Sequence, residues 1–532
     1  MNYKFFDRYI DKKKLYPEFE GYLFFEQNYW NDMGFETLFE VYKPEKNGML
    51  KKLGSMHIAK ESASLKEGKY KTFDEFDTEK DYQNLPEEFL SLGNDEFYMN
   101  LHKYFNREEC YSILDELNDL CFRFDRLNFN NIFKNKVIST SFFRGYSEEK
   151  AEDRIKYALK PLAKTGHRVG YDITYTYKLN DSIISNINFK VNPDEIFPQN
   201  VHAIIGNNGS GKTTFIKDIL SLAITQELQV RSQFRIKDGE MIIEFSSTDD
   251  LKVDKPKDYF LKVILISFSP FDNLYLNNGE ALGENGNIKY LGLYQNGKNS
   301  LNFDDLSELF TSAIKRILEI HDNWKFFREI LQDQDYQGDI LPIIDEIERN
   351  AECNEVEENL KIVFNKISAG QKIILLSIAT LITEVEQYSL VLIDEPELFL
   401  HPPMISNYIR SISKIMKKKN GVCILTTHSP IIVQEIPKGC VKIIQANADG
   451  GIEVVAPEYE TFGENLSTLT NTIFGLNQYK SGFYLLIKEI VKNPEEYGLE
   501  LEDIKQLKFG RDGMLYKQLL LMDLGEIENG EE

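Results

Sequence analysis

Residues 206–213 read Gly-Asn-Asn-Gly-Ser-Gly-Lys-Thr, an uninterrupted G-x-x-x-x-G-K-[ST] phosphate loop. Few folds can hold such a segment, because it must connect a buried strand to the first turn of a helix. The apolar run Val201-His202-Ala203-Ile204-Ile205 lies just upstream, and Thr214-Phe215-Ile216-Lys217-Asp218-Ile219-Leu220 downstream has helix periodicity. The glycines let backbone N–H groups wrap phosphates, and the helix N-terminus adds its partial positive charge. Asn207, Asn208, Gly209, Ser210, Gly211, Lys212, Thr213 and Thr214 are therefore the predicted contacts to a nucleoside triphosphate. Lys212 is placed to reach the β- and γ-phosphates, and the Thr213 hydroxyl to bind Mg²⁺.

Three later segments carry the rest of the expected chemistry. Leu390-Val391-Leu392-Ile393-Asp394-Glu395-Pro396 reads as a buried strand ending in two carboxylates. Asp394 is then a candidate Mg²⁺ ligand, and Glu395 a candidate base for the attacking water. Gly421-Val422-Cys423-Ile424-Leu425-Thr426-Thr427-His428 is another apolar strand, and a neutral imidazole at its end can hydrogen-bond a γ-phosphate. Ile367-Ser368-Ala369-Gly370-Gln371-Lys372 precedes an apolar helix, where small residues leave N–H donors open to an anion.

Together these segments resemble those of the ABC-type ATPases, over roughly residues 170–450. The resemblance makes 206–213 the Walker A loop, Ser368–Lys372 the signature motif, Asp394-Glu395 the Walker B pair and His428 the switch histidine. It implies catalytic roles for Glu395, His428 and Lys212, with ATP and Mg²⁺ as substrate and cofactor. It further implies that Ser368 and Gly370 contact the γ-phosphate held by another subunit, so that a homodimer or higher even-numbered oligomer completes each site. Asp394-Glu395-Pro396-Glu397-Leu398-Phe399-Leu400-His401-Pro402 and Thr427-His428-Ser429-Pro430 are closer to the SMC, RecF and OLD branch than to transporters. The end segment Glu460-Thr461-Phe462-Gly463-Glu464-Asn465-Leu466 is similar to those of anti-phage ATPases of the Septu type.

Two departures shape the reading. Transporter-type heads carry a glutamine after the strand leading out of the core, whereas this chain has Ser267-Phe268-Ser269-Pro270-Phe271-Asp272, leaving Ser269 and Asp272 as weak substitutes. Only 156 residues separate Lys212 from Ser368, with no sustained heptads, so no SMC-type coiled-coil arm fits. Nor does the chain beyond His428 show the acidic pattern of a TOPRIM nuclease.

The fold class expected is α/β: an ABC-ATPase head, with a mixed sheet and a helical subdomain, joined to an N-terminal α+β domain. At 532 residues the chain is long for one core. The expected division is an accessory domain over 1–135, the head over 136–460 with a helical insertion at about 300–366, and a helical extension over 461–532. Within it, Val137–Phe143 reads as a strand, as do Tyr171–Tyr177 and Ile183–Val191. The net charge of −23 argues against a non-specific coat on nucleic acid, and Arg231, Arg235 and Lys237 are read as solvated charges. Five scattered cysteines give neither a zinc site nor a disulfide framework. With no signal-like or membrane-spanning stretch, the expected location is cytoplasmic, without membrane contact.

The leading expectation is an ATP-driven sensor or switch in bacterial anti-phage defence, delivering its output through a separate effector such as a nuclease. A RecF/SMC-like DNA-repair ATPase and an ATP-locked scaffold with little hydrolysis are the alternatives, and nucleic acid remains a candidate partner.

Overall fold

The computed structural model describes residues 1–7, 19–46, 49–77, 79–144, 146, 148–168, 170–179, 182–193, 195–206, 210–224, 231–237, 240–246, 262–269, 288–293, 303–318, 320–333, 345, 356–446, 452–473 and 482–524. The chain opens with β1 (Asn2–Phe6), β2 (Tyr22–Gln27), β3 (Phe35–Glu36), β4 (Leu38–Pro44), β5 (Leu50–Lys60), β6 (Tyr70–Lys71) and β7 (Phe89–Gly93). One sheet has the order β1-β2-β4-β5-β7, and β3 pairs with β6. Many aromatic residues of this region are core. Phe5 stacks on Phe25 and Phe76, with ring centroids 5.0 and 3.9 Å away. Helices Asp95–Tyr104 and Arg107–Glu116 each start at an asparagine cap, Asn94 and Asn106, whose side chains accept from the Phe97 and Glu109 N–H groups.

One expectation fails here. Val137–Phe143 is not a strand: Ile138–Phe142 forms a π-helical turn that buries Val137, Ile138, Phe142 and Phe143. A short run of branched and aromatic residues signals burial, and a buried helical turn satisfies it as well as a strand does. The same core continues through Ala151, Ile155, Leu159 and Ala163. The N-terminal packing unit thus runs past the expected division at 135/136, as far as Gly166, whose φ of +72° closes the last helix.

The head holds two sheets. β8 (Gly170–Leu179), β9 (Ser182–Val191), β11 (Arg231–Lys237) and β12 (Glu240–Ser246) form the smaller, in the order β11-β12-β8-β9, with β8 and β9 antiparallel. The side chains of Arg231, Arg235 and Lys237 lie outside the described ones. The larger contains β10 (Val201–Gly206), β13 (Lys262–Ser267), β14 (Ile288–Gly292), β15 (Ser389–Asp394), β16 (Val422–Thr427), β17 (Val441–Ala446) and β18 (Ile452–Val455). Its order is β14-β13-β15-β16-β10-β17-β18, parallel throughout except for β18. Every residue of β10, β15 and β16 is buried, as continuous apolar runs require in a parallel sheet covered on both faces.

Helix Lys212–Ile224 lies between the two sheets. Its Phe215, Ile216 and Ile219 pack with Tyr171, Ile173 and Phe189 on one side and Ile204, Leu392 and Ile424 on the other. Tyr175 meets Phe215 edge-on at 5.1 Å, so it is a packing residue rather than a base-stacking platform. The opposite face of the large sheet is covered by helices Phe303–Leu318, His321–Asp333, Val356–Lys366, Ala369–Glu384 and Pro402–Lys419, which share one core with it. Glu384, buried at the end of its helix, receives hydrogen bonds from Lys262 on β13 and Arg316 on Phe303–Leu318.

Helix Pro402–Lys419 ends in a hub. Arg168 of the linker donates to the Lys417 carbonyl and pairs with Asp95 of the N-terminal unit at 3.5 Å. Tyr171 donates to the carbonyl of Asn420, whose φ of +52° reverses the chain. Asn200, just before β10, donates to the Gly421 carbonyl at 2.8 Å, and Lys419 reaches Asn323 at 2.9 Å. Beyond the sheet, Leu469 and Ile473 of helix Leu466–Ile473 join the head core, while helices Phe483–Lys492, Leu501–Gln506 and Arg511–Asp523 build a small core of their own. No described helix is long and apolar enough to cross a membrane.

Candidate nucleotide site

Parallel register brings the predicted site together. β16 lies between β10 and β15, with Ile205 opposite Thr427 and Asp394 opposite Thr426. The phosphate loop, the acidic pair and His428 therefore leave the sheet at the carboxyl ends of neighbouring strands, where open α/β sheets place their ligands.

The phosphate loop starts at Gly206, where a Cβ would come 2.3 Å from Ser210 Oγ and 2.8 Å from the Ile444 carbonyl oxygen. Gly211 has a φ of +91°, which an L side chain would resist, and it delivers the chain into the helix. Lys212 is buried, and its Nζ donates to the Gly206 carbonyl across the mouth of the loop at 2.9 Å. Burial lowers its pKa, opposed by the charges of Glu395, Asp394 and Glu397, so the ammonium sits within reach of three carboxylates. Ser210 is buried, Thr213 half-buried and Thr214 exposed. Asn207, Asn208 and Gly209 lie outside the described residues, as does Asp272; Ser269 is described just past β13.

Asp394 is buried and accepts a hydrogen bond from the Thr426 hydroxyl of the neighbouring strand. Glu395 occupies left-handed backbone, with φ +44°, a strained conformation that turns its carboxylate out of the strand direction. It is half-buried, and burial together with the Asp394 charge raises its pKa above the ordinary 4.5. His428 Nε2 lies 3.4 Å from Glu395 Oε1. Burial and the nearby Lys212 cation lower the pKa of His428, keeping the imidazole neutral at pH 7.

Ser368 and Gly370 stand elsewhere, at the N-terminus of helix Ala369–Glu384. Ser368 is exposed and forms a capping box with Gln371. A Cβ at Gly370 would meet the Phe399 carbonyl oxygen at 3.1 Å, so the small residue lets this helix end pack beside the loop that follows Glu395.

Thr426, Thr427 and Glu397 were not among the predicted site residues. Glu397 Oε1 accepts from the Thr427 hydroxyl at 2.8 Å and from the His428 N–H at 2.6 Å. The signal was present as polar residues at the end of an apolar strand and a third carboxylate after Asp394-Glu395.

Lys212 and the hydroxyl of Thr213 stand on one strand exit, and the carboxylates of Asp394 and Glu395 on another. A hydroxyl and a carboxylate are the hard oxygen donors Mg²⁺ favours when substrate phosphates complete its shell. Among the described residues no cluster of histidine, cysteine and carboxylate side chains offers a competing metal site.

This sheet, with its loop and acidic strand, has the layout of an ABC-like AAA ATPase. Residues 244–434, which include Ser368, Asp394, Glu395 and His428, match the family described as "AAA domain, putative AbiEii toxin, Type IV TA system". Protein ea59 of Escherichia phage lambda is 27% identical, and the match covers 97% of this chain and 96% of that protein. Endonuclease GajA of Bacillus cereus (strain HuB5-5) is 24% identical over 58% of this chain and 47% of its own, so this chain spans about half of that enzyme. A nucleotide-free ATP-binding cassette from an ABC transporter covers 57% of this chain and 94% of its own at 13% identity, with a TM-score of 0.27, too low to carry weight.

Proposed function

We propose that this protein is an ATP-hydrolysing head that closes as a dimer around Mg-ATP and works as a switch for a separate effector in phage–host conflict. The observation that carries the reading is the convergence of Lys212, Asp394, Glu395 and His428 at the carboxyl ends of β10, β15 and β16.

In this reading the loop N–H groups and Lys212 bind the triphosphate, and Lys212 offsets charge on the transferring phosphoryl group. Thr213 and Asp394 would hold Mg²⁺, which would supply positive charge against the phosphates. Glu395 orients the attacking water and accepts its proton, a role that its raised pKa favours. His428, neutral and close to Glu395, donates to the γ-phosphate and reports its presence. Ser368, exposed, and Gly370, half-buried, at the N-terminus of another helix, complete the site of a second copy. That arrangement makes nucleotide a differential ligand of the closed dimer, and hydrolysis its release.

The effector is proposed to be a separate nuclease. The matched region accounts for about half of endonuclease GajA, and the other half of that enzyme has no counterpart in the match. The end-to-end likeness to a phage lambda protein and the Septu-like end segment support a place in phage–host conflict on either side. The deciding experiment is the native mass of Glu395→Gln with and without Mg-ATP, after co-expression with neighbouring genes. Growth to an even-numbered assembly carrying a second polypeptide supports the switch; a mass unchanged by ATP, with no companion, overturns it.

A further inference from the structure

Glu397 lies three residues past Asp394, in the single turn Pro396–Phe399 that follows the acidic strand. Its Oε1 gathers two donors from the neighbouring strand exit, the Thr427 hydroxyl and the His428 N–H. The Ser429 N–H donates in turn to Thr427 Oγ1 at 2.9 Å, so the backbone from 427 to 429 hangs from one carboxylate oxygen. Its other oxygen, Oε2, is buried and makes no hydrogen bond among the described residues.

The two exits are also tied on the other side of the site. Thr426 donates to Asp394, and the Glu395 N–H donates to the Thr426 carbonyl at 3.1 Å. With the Glu397 bonds, these contacts bracket the 3.4 Å approach of His428 Nε2 to Glu395. The position of the His428 backbone along its strand exit is therefore held by Glu397.

We propose that Glu397 is a positioning residue of this site, holding the His428 backbone so that its ring meets Glu395 as the γ-phosphate is attacked. The role rests on the ATPase reading above. It differs from that reading in assigning no contact with nucleotide to Glu397: the carboxylate acts through His428. Displacing a catalytic group by about 1 Å can cost on the order of 10²-fold in rate.

The test compares Glu397→Ala, Glu397→Gln and Thr427→Val, each also combined with His428→Ala. Turnover and the KM for ATP are measured together with the ¹⁵N imidazole resonances of the full-length protein, His428 being assigned by its loss in His428→Ala. The amide oxygen of Glu397→Gln can accept both bonds, so this variant keeps the parental rate and ring signal. Glu397→Ala lowers kcat by about 10²-fold with KM nearly unchanged, moves the His428 resonance, and adds no further loss to His428→Ala. Thr427→Val, which breaks one of the two bonds and guards against misfolding of the alanine variant, shows the same pattern more weakly. Equal losses in the presence and absence of His428, or a ring signal unmoved in Glu397→Ala and Thr427→Val, overturn the proposal. If the parental protein does not hydrolyse ATP, the ATPase reading fails by itself, and the resonances alone still decide whether Glu397 places His428.

Discussion

His428 Nε2 and Glu395 Oε1 lie 3.4 Å apart, joining the ends of two parallel strands whose residues are separated by more than thirty positions in the chain. Each has its pKa moved toward the neutral form, Glu395 upward and His428 downward, and burial is the first cause of both shifts.

Replacing Glu395 with Gln is expected to lower ATP turnover by about 10²–10⁴-fold, the usual contribution of a positioned base. Nucleotide affinity stays close to the parental value. In the parental protein the acid limb of the rate profile falls above pH 4.5, because activity requires the ionised carboxylate and burial raises its pKa. Steady-state rates between pH 4.5 and 8, with filter-binding of labelled ATP, check both statements; a Gln variant at parental rate removes Glu395 from the role.

Thr426→Val deletes the hydroxyl that donates to Asp394. Losing one hydrogen bond to a charged group costs about 1.5–3 kcal/mol, and here the loss falls on the orientation of the proposed Mg²⁺ ligand. The Mg²⁺ concentration giving half-maximal ATPase activity is expected to rise by about tenfold or more, with the fold intact. A magnesium titration at saturating ATP measures it, and an unchanged midpoint refutes it.

Glu384→Ala strips the shared partner from Lys262 and Arg316. Lys262 is the more enclosed of the two cations, at 14% side-chain exposure against 47%. Breaking a buried pair on one side costs about 3–5 kcal/mol, and the helical layer should separate from β13 at correspondingly lower denaturant. Urea unfolding followed by tryptophan fluorescence, using Trp324 on helix His321–Asp333 as the reporter, tests this.

His202 gives a stability prediction of definite sign. It is fully buried on β10, its ring nitrogens make no hydrogen bond among the described residues, and burial pushes its pKa from 6.5 down to about 3. The folded state keeps the ring neutral, while the unfolded chain takes up a proton below pH 6.5. The contribution is therefore fully present above that pH and is lost as pH falls toward 3. Between pH 7 and 5 the loss is about 2 kcal/mol. His202→Leu should flatten that slope without weakening the protein at pH 7; equal pH slopes in the two proteins would falsify the assignment.

Much of the candidate nucleotide site was legible because buried parallel strands announce themselves as unbroken apolar runs. β10, β15 and β16 each end where such a run meets Gly206, Asp394 or Thr427. Their neighbour order was not legible, since β16 follows β15 in sequence yet lies between it and β10. Glu397 escaped notice because its partners, Thr427 and the His428 N–H, are neighbours only across strands. The π-helical turn at Ile138–Phe142 departs from the expected strand for the opposite reason: its composition reports burial and is silent about backbone period.

The helix Pro402–Lys419 begins just after the loop that carries Glu395 and ends in the grip of Arg168, Tyr171 and Asn323. At 1.5 Å per residue it is a rod about 27 Å long. The same helix thus ties the acidic loop at Pro402 to the linker that leads to the N-terminal unit. Two regions far apart in the sequence, the acidic exit of β15 and the segment before β8, therefore share one continuous rod.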